Sequence, residues 1–266
     1  MQTHLLVIDP QSDFCDPADG ALYVPGAEKD MARLAALVDR LGPAIDAIHV
    51  TLDSHHPIDI AHPIFWRDAA GEAPAPFTGI GPDAVRAGQW TTRRPQDRER
   101  ALAYLDALAA GGRYPHTIWP PHCLIGSRGH TVDPTLFSAL TRWETQTHAL
   151  VDYVMKGTNP WTEHFSAIRA EVIDPADPST QPNTALIEAL KGADRVLIAG
   201  EAGSHCVANT VRDLADVLGD RHAVARLVLL EDTISPVPGF EAFQDDFLAD
   251  LTARGMGLST TEKATA

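Results

Sequence analysis

Val196-Leu197-Ile198-Ala199-Gly200-Glu201-Ala202-Gly203-Ser204-His205-Cys206 is the stretch that decides the fold. An apolar run reads as a buried strand and passes into a turn of small residues. Residues 205–218 then place Val207, Val211, Leu214 and Leu218 at helical spacing, with Gly219 as the stop. A strand, a tight turn and a helix in succession are the repeating unit of a parallel sheet covered by helices.

The same unit recurs along the chain. Leu5–Ile8 reads as the first strand. Residues 27–41 follow as a helix, with Met31, Leu34, Ala35, Val38 and Leu41 on one face and Gly42-Pro43 as its end. Ile45–Leu52, Ala149–Met155 and Leu227–Leu230 are further strands, and residues 239–252 a closing helix. The segment from about 57 to 121 breaks this rhythm. It is rich in Pro and Gly and carries one clear helix, 97–109, with Leu102, Leu105 and Leu108 on one face and Gly111-Gly112 as its stop. One small helix cannot supply a core, so the reading is a single domain over residues 1–266 with an insertion above the sheet's carboxyl edge. Such insertions serve as lids or binding loops, and a packing excursion or oligomer contact fits equally well. Ser259–Ala266 reads as a frayed tail.

Reactive side chains collect at the strand ends. Asp9 follows Leu5–Ile8, Asp53 ends the second strand, Lys156 ends the 149–155 strand, and Cys206 lies just beyond Val196–Ala199. In an open parallel sheet these ends share one edge, where ligands bind. A thiol at a helix N-terminus feels the positive end of the macrodipole, and a nearby Lys lowers its pKa further. Asp9 is placed to take the thiol proton and return it to a leaving amine, with Lys156 as a fixed cation. An inert buried thiol is the ordinary fate of a free cysteine, and it suffices for Cys15 and Cys123. A second group, Asp53-x-His55 with His122 in Trp119-Pro120-Pro121-His122-Cys123, has the ligand types of a catalytic metal site. His56 and His62 are near in sequence, so the ligand set stays open.

The bulk composition excludes several classes. A formal net charge of −15 over 266 residues argues against nucleic-acid or anionic-membrane binding. Three cysteines imply no disulfide framework. The N-terminus lacks a charged lead and a long apolar run, and no stretch has the length of a membrane span. A cytoplasmic protein acting on a small molecule is expected, and assembly into a homo-oligomer is compatible with this.

Taken together, these segments resemble the nicotinamidases of the isochorismatase superfamily. Val7-Ile8-Asp9-Pro10-Gln11-Ser12-Asp13-Phe14 resembles that family's opening strand and catalytic Asp, and Thr51-Leu52-Asp53-Ser54-His55-His56-Pro57 its metal-binding turn. Trp119–Cys123 resembles the segment with the third ligand, Met155-Lys156-Gly157 the catalytic Lys, and Gly200–Cys206 the nucleophile elbow. The match runs in order from about residue 4 to 235.

The resemblance implies a three-layer, isochorismatase-like α/β fold with a six-stranded parallel sheet between helices. It also implies a triad of Asp9, Lys156 and Cys206 and a thioester intermediate. A divalent metal, zinc with iron or manganese as alternatives, would sit on Asp53, His55 and His122. A cis peptide before position 203 and an oxyanion hole from the N–H groups of Gly203 and Cys206 are expected, with Phe14 and Trp119 sandwiching the substrate ring. The implied activity is hydrolysis of nicotinamide, or a close heteroaromatic carboxamide, to the acid and ammonia, a step of NAD salvage.

Three departures bear on the substrate: the long insertion, the extra His56 that alters the spacing to His62, and Gly203-Ser204-His205 in place of the common Thr-Asp-Tyr. Alternatives are an amidase of the maleamate, ureidoacrylate or N-carbamoyl type, which commonly lacks the metal, and a non-catalytic binding or scaffolding protein on the same fold. A vinyl-ether hydrolase fits less well, because true isochorismatases use no cysteine nucleophile.

Overall fold

The computed structural model describes residues 1–111 and 113–266. Strands run β1 (Thr3–Ile8), β2 (Ala47–Asp53), β3 (Trp66–Arg67), β4 (Thr91–Thr92), β5 (Asp152–Lys156), β6 (Arg195–Gly200), β7 (Leu227–Leu230) and β8 (Gly257–Ser259). The helices are α1 (Ser12–Cys15), α2 (Ala27–Leu41), α3 (Pro82–Arg86), α4 (Arg98–Gly111), α5 (Pro134–Thr147), α6 (Thr184–Gly192), α7 (Cys206–Leu218), α8 (Arg221–Val224) and α9 (Glu241–Arg254). Gly112, half of the expected helix stop, lies outside the described residues.

Six strands form one parallel sheet in the order β5-β2-β1-β6-β7-β8. The chain winds outward from β1 to β2 and β5, then returns through β6 to β7 and β8. Right-handed crossovers put helices on opposite faces for the two directions. The packing agrees: α2 lies beside α5, and α7 beside α6 and α9. Both faces are therefore covered, which is why Leu5, Leu6, Val7 and Ile8 are all fully buried rather than alternating. Where the winding reverses, between β1 and β6, the turns after the two strands diverge and leave a crevice at the carboxyl edge.

Gly200 makes the close approach of β6 to β1 feasible. Its φ is +119°, and a Cβ there would stand 2.0 Å from the Ile8 carbonyl oxygen. The backbone then turns into α7 at Cys206, with Gly219 at its end as expected.

Three expectations are corrected. The tail is docked: β8 adds the sixth strand, Arg40 donates to the carbonyls of Thr261 and Ala264, and Thr261 bonds Asp232. The insertion has an apolar cluster of its own, in which Ile60, Phe65, Trp66, Ile80, Val85, Tyr104, Leu105, Leu108 and Ile118 are buried. One helix would not have built it. Aromatic residues from the irregular segments, and the antiparallel pair β3–β4, supply the rest. Finally, β5 starts later than the apolar run suggests, because it is an edge strand and residues 152 and 153 are exposed.

Candidate active site

Asp9 sits one residue past β1 in the left-handed region, φ 47°, a conformation that turns its side chain into the crevice and is rarely adopted except where structure enforces it. Thr51 holds it. Its N–H donates to the Thr51 carbonyl and hydroxyl oxygens, and Thr51 Oγ1 donates to Asp9 Oδ1 at 2.6 Å. Asp53 ends β2 and is clamped by Gln11, whose amide accepts from Asp53 N–H and donates to its carbonyl, both at 2.7 Å.

Lys156, at the end of β5, joins these groups. Its Nζ lies 2.9 Å from Asp9 Oδ2, 3.0 Å from Asp53 Oδ1, 2.8 Å from the His164 carbonyl and 3.7 Å from Cys206 Sγ. The approach to Asp9 Oδ2 is ionic and off the hydrogen-bonding direction, so that oxygen keeps a free lone pair. Gly157 follows at φ +80° and lets the chain pass where a Cβ would meet Asp53 Oδ1 at 2.9 Å. The four strand-end residues read from sequence thus meet at one point.

The electrostatics refine one expectation. Burial alone would discharge Lys156, but Asp53 and Asp9 outweigh it and hold its pKa well above the ordinary value. Burial pushes the Cys206 thiol well up, and Asp9 and Asp53 add to this against the pull of Lys156. Burial and the two carboxylates therefore work against the helix terminus and the lysine, which favour the thiolate. Asp9 is also raised, by burial and by Asp53, partly offset by Lys156 and Thr51. A thiol beside a buried carboxylate and an ammonium is an arrangement that suits proton transfer between sulfur and carboxylate.

Asp53 connects this cluster to a second one. Its other oxygen, Oδ2, lies 3.0 Å from His55 Nε2 and 3.4 Å from His122 Nε2. Candidate ligand atoms of Asp53, His55 and His122 all fall within 4.8 Å of one another. His122 Nδ1 is 2.9 Å from the Pro120 carbonyl, which can only accept, and His55 Nδ1 is 3.0 Å from Asp59 Oδ2. The Nε2 atoms of both rings face Asp53 Oδ2 while their Nδ1 atoms have acceptors of their own, an arrangement that leaves Nε2 and the carboxylate free to share a metal ion. Burial lowers the His55 pKa, but Asp53 and Asp59 outweigh it and hold it well above the ordinary value. His62, ring centroid 5.2 Å from His55, is buried with its Nε2 unpartnered, and burial holds it neutral, down to about 4. Two or three imidazoles and one carboxylate suit zinc, iron or manganese, so the residues fit the group. His56 is exposed and outside the cluster.

A small cavity opens beside Cys206, lined by Phe14, Leu22, Asp53, Trp119, His122, Glu163, Phe165, Ala202, His205 and Val237. Phe14 and Trp119 both line it. The oxyanion expectation is corrected in part. Gly203 N–H donates to the Ser235 carbonyl at 2.8 Å and is committed there. The cis peptide is Glu201–Ala202, one residue earlier than expected. Cys206 N–H, at the first helical position, and Ala202 N–H have no backbone or side-chain acceptor among the described residues.

Several site residues escape the sequence reading. Thr51, in mid-strand, and Ala202, in the elbow, carry no distinctive signal. Asp59 could have been found four residues after His55, since a metal-binding histidine wants an acceptor on its second nitrogen. Glu163, His164 and Phe165 lie in an irregular run after β5, where periodicity says nothing.

The strand order, the winding and a crevice at the reversal point define the isochorismatase-like α/β fold. No protein-family model matches the chain, and no curated protein matches it by sequence. Solved structures do: the yeast nicotinamidase superposes with a TM-score of 0.65 at 20% identity, over 97% of this chain and 99% of that one. PnC1 from L. infantum, in complex with nicotinate, gives 0.60 at 22% identity over 98% and 93% of the two chains. The Pyrococcus horikoshii pyrazinamidase, in complex with zinc, gives 0.56 at 20% identity over 98% and 99%.

Proposed function

We propose that this chain is a metal-assisted cysteine amidohydrolase that converts nicotinamide, or a close heteroaromatic carboxamide, to the acid and ammonia. The observation that carries the reading is the single ammonium of Lys156 within 3.0 Å of two carboxylates and 3.7 Å from Cys206 Sγ at the floor of an aromatic cavity. The likeness to nicotinamidase structures supports the choice of substrate, and we read residues 1–266 as one domain whose insertion at about 57–121 frames the cavity.

Cys206 acts as the nucleophile. As Sγ bonds the amide carbon, its proton passes to the free lone pair of Asp9 Oδ2, while Thr51 holds the other oxygen in place. The charge that develops on the substrate oxygen falls to the N–H groups of Ala202 and Cys206. Asp9 then protonates the amide nitrogen, the C–N bond breaks and ammonia leaves. Water adds to the thioester with Asp9 again taking the proton, and the C–S bond breaks to release the acid and restore the thiol. Lys156 stays charged throughout and, between these steps, offsets the charges of the paired carboxylates. Phe14 and Trp119 hold the ring. Asp53, His55 and His122 would hold a divalent ion, which would supply Lewis acidity to the bound substrate.

The test is ammonia release over a panel of nicotinamide, maleamate, N-carbamoyl and ureido compounds, with and without chelator. Nicotinamide or a ring analogue should give the highest kcat/KM, and chelation should lower it. An acyclic amide that wins by orders of magnitude, unaffected by chelator, contradicts the nicotinamide assignment.

A further inference from the structure

Glu163 stands on the wall of the same cavity, 4% exposed, yet neither of its carboxyl oxygens has a hydrogen-bond partner among the described residues, and Oε1 is sealed from solvent. Its main chain is fixed on both sides. Glu163 N–H donates to the Tyr104 hydroxyl at 3.3 Å, and its carbonyl accepts from Glu171 N–H at 2.9 Å and from Thr162 Oγ1 at 3.1 Å. The side chain is therefore held in position rather than left over from a loose loop. Trp119, on the same wall, has a buried Nε1–H that is also unpartnered. Leaving such groups unmet is unfavourable, and a ligand in the cavity is one way to complete them.

We propose that Glu163 is a specificity-determining residue, accepting a hydrogen bond from an N–H or O–H group that the substrate carries in addition to its carboxamide. The inference rests on the amidase reading and narrows it to carboxamides whose ring bears a second donor. A carboxyl group accepts whether or not it is protonated, so the recognition does not depend on its charge. Trp119 Nε1–H, a donor only, would add an acceptor requirement where a ligand reaches it. A ring with an amino group or a lactam edge next to a heteroatom offers both.

The experiment compares kcat/KM for ammonia release from nicotinamide, its ring-amino and ring-oxo derivatives and benzamide, in wild type, E163Q and E163L, with thermal unfolding of each protein. E163A replaces E163L should the larger side chain prevent folding. Wild type should favour at least one donor-bearing derivative over nicotinamide by about tenfold or more. E163Q, which retains an acceptor, should keep that preference, and the apolar variant should lose it. Because the apolar variant removes an unmet buried polar group, its Tm should rise by about 2–4 °C. A preference that is absent from wild type, or unchanged in the apolar variant, overturns the proposal, as does a lowered Tm in that variant. Absence of ammonia from every amide instead sinks the amidase reading itself.

Discussion

Lys156 carries the charge balance of the site, because among the described residues it is the only ammonium against the buried carboxylates of Asp9 and Asp53. Replacing it leaves two like charges facing one another out of reach of water. Lys156→Met should therefore lower the unfolding free energy by about 3–5 kcal/mol and abolish turnover, as read by urea titration alongside an ammonia assay. A variant as stable as the wild type would mean that the three groups do not interact as their spacing implies. At this scale the sequence is informative where a residue ends a strand. Asp9, Asp53, Lys156 and Cys206 were legible because strand ends are legible, and His55 and His122 because metal-ligand types clustered near them. Glu163 and Ala202 were not, since irregular backbone leaves no periodic signal and a free N–H has no residue type.

Among the elements, the elbow between β6 and α7 is the least tolerant. Gly200→Ala would drive a methyl group into the Ile8 carbonyl at a backbone angle that side chains disfavour. The expected loss is on the order of 3 kcal/mol, together with a displaced Cys206, and it is measured by denaturant unfolding and by the rate of thiol alkylation. An unperturbed Gly200→Ala protein would show that β1 and β6 can separate without harm to the site. The α2 helix was readable to its ends because five apolar residues share a face between clear stops. The α5 helix was not: Thr135, Thr141, Thr145 and Thr147 are poor helix formers, and it stands by its Asp133 cap and by packing Leu136, Ala139, Leu140 and Trp143. β8 has no apolar run, and its pairing comes from the open edge of β7.

For the whole molecule, the strand order places the site, and order is a property that no single segment encodes. The alternation of elements pointed to a parallel sheet, and the likeness to a known family supplied its six strands. The cluster inside the insertion depends on aromatic residues far apart in sequence and so was missed. Metal binding should act at this scale, because Asp53, His55 and His122 come from segments on both sides of the insertion. Adding zinc to chelator-treated protein should raise stability by about 2.7 kcal/mol when the free ion is a hundredfold above its Kd. An unchanged Tm, with no ion retained on metal analysis, would remove the metal from the account.

The central claim is that Cys206 forms a covalent bond to a carboxamide carbon. The measurement that tests it most directly is ammonia release from nicotinamide by the wild type and by Cys206→Ala, each shown to be folded and to hold the same metal content. The wild type should turn over, and the variant should release none above background. Turnover that survives loss of the thiol would contradict the account and move the chemistry elsewhere in the cavity.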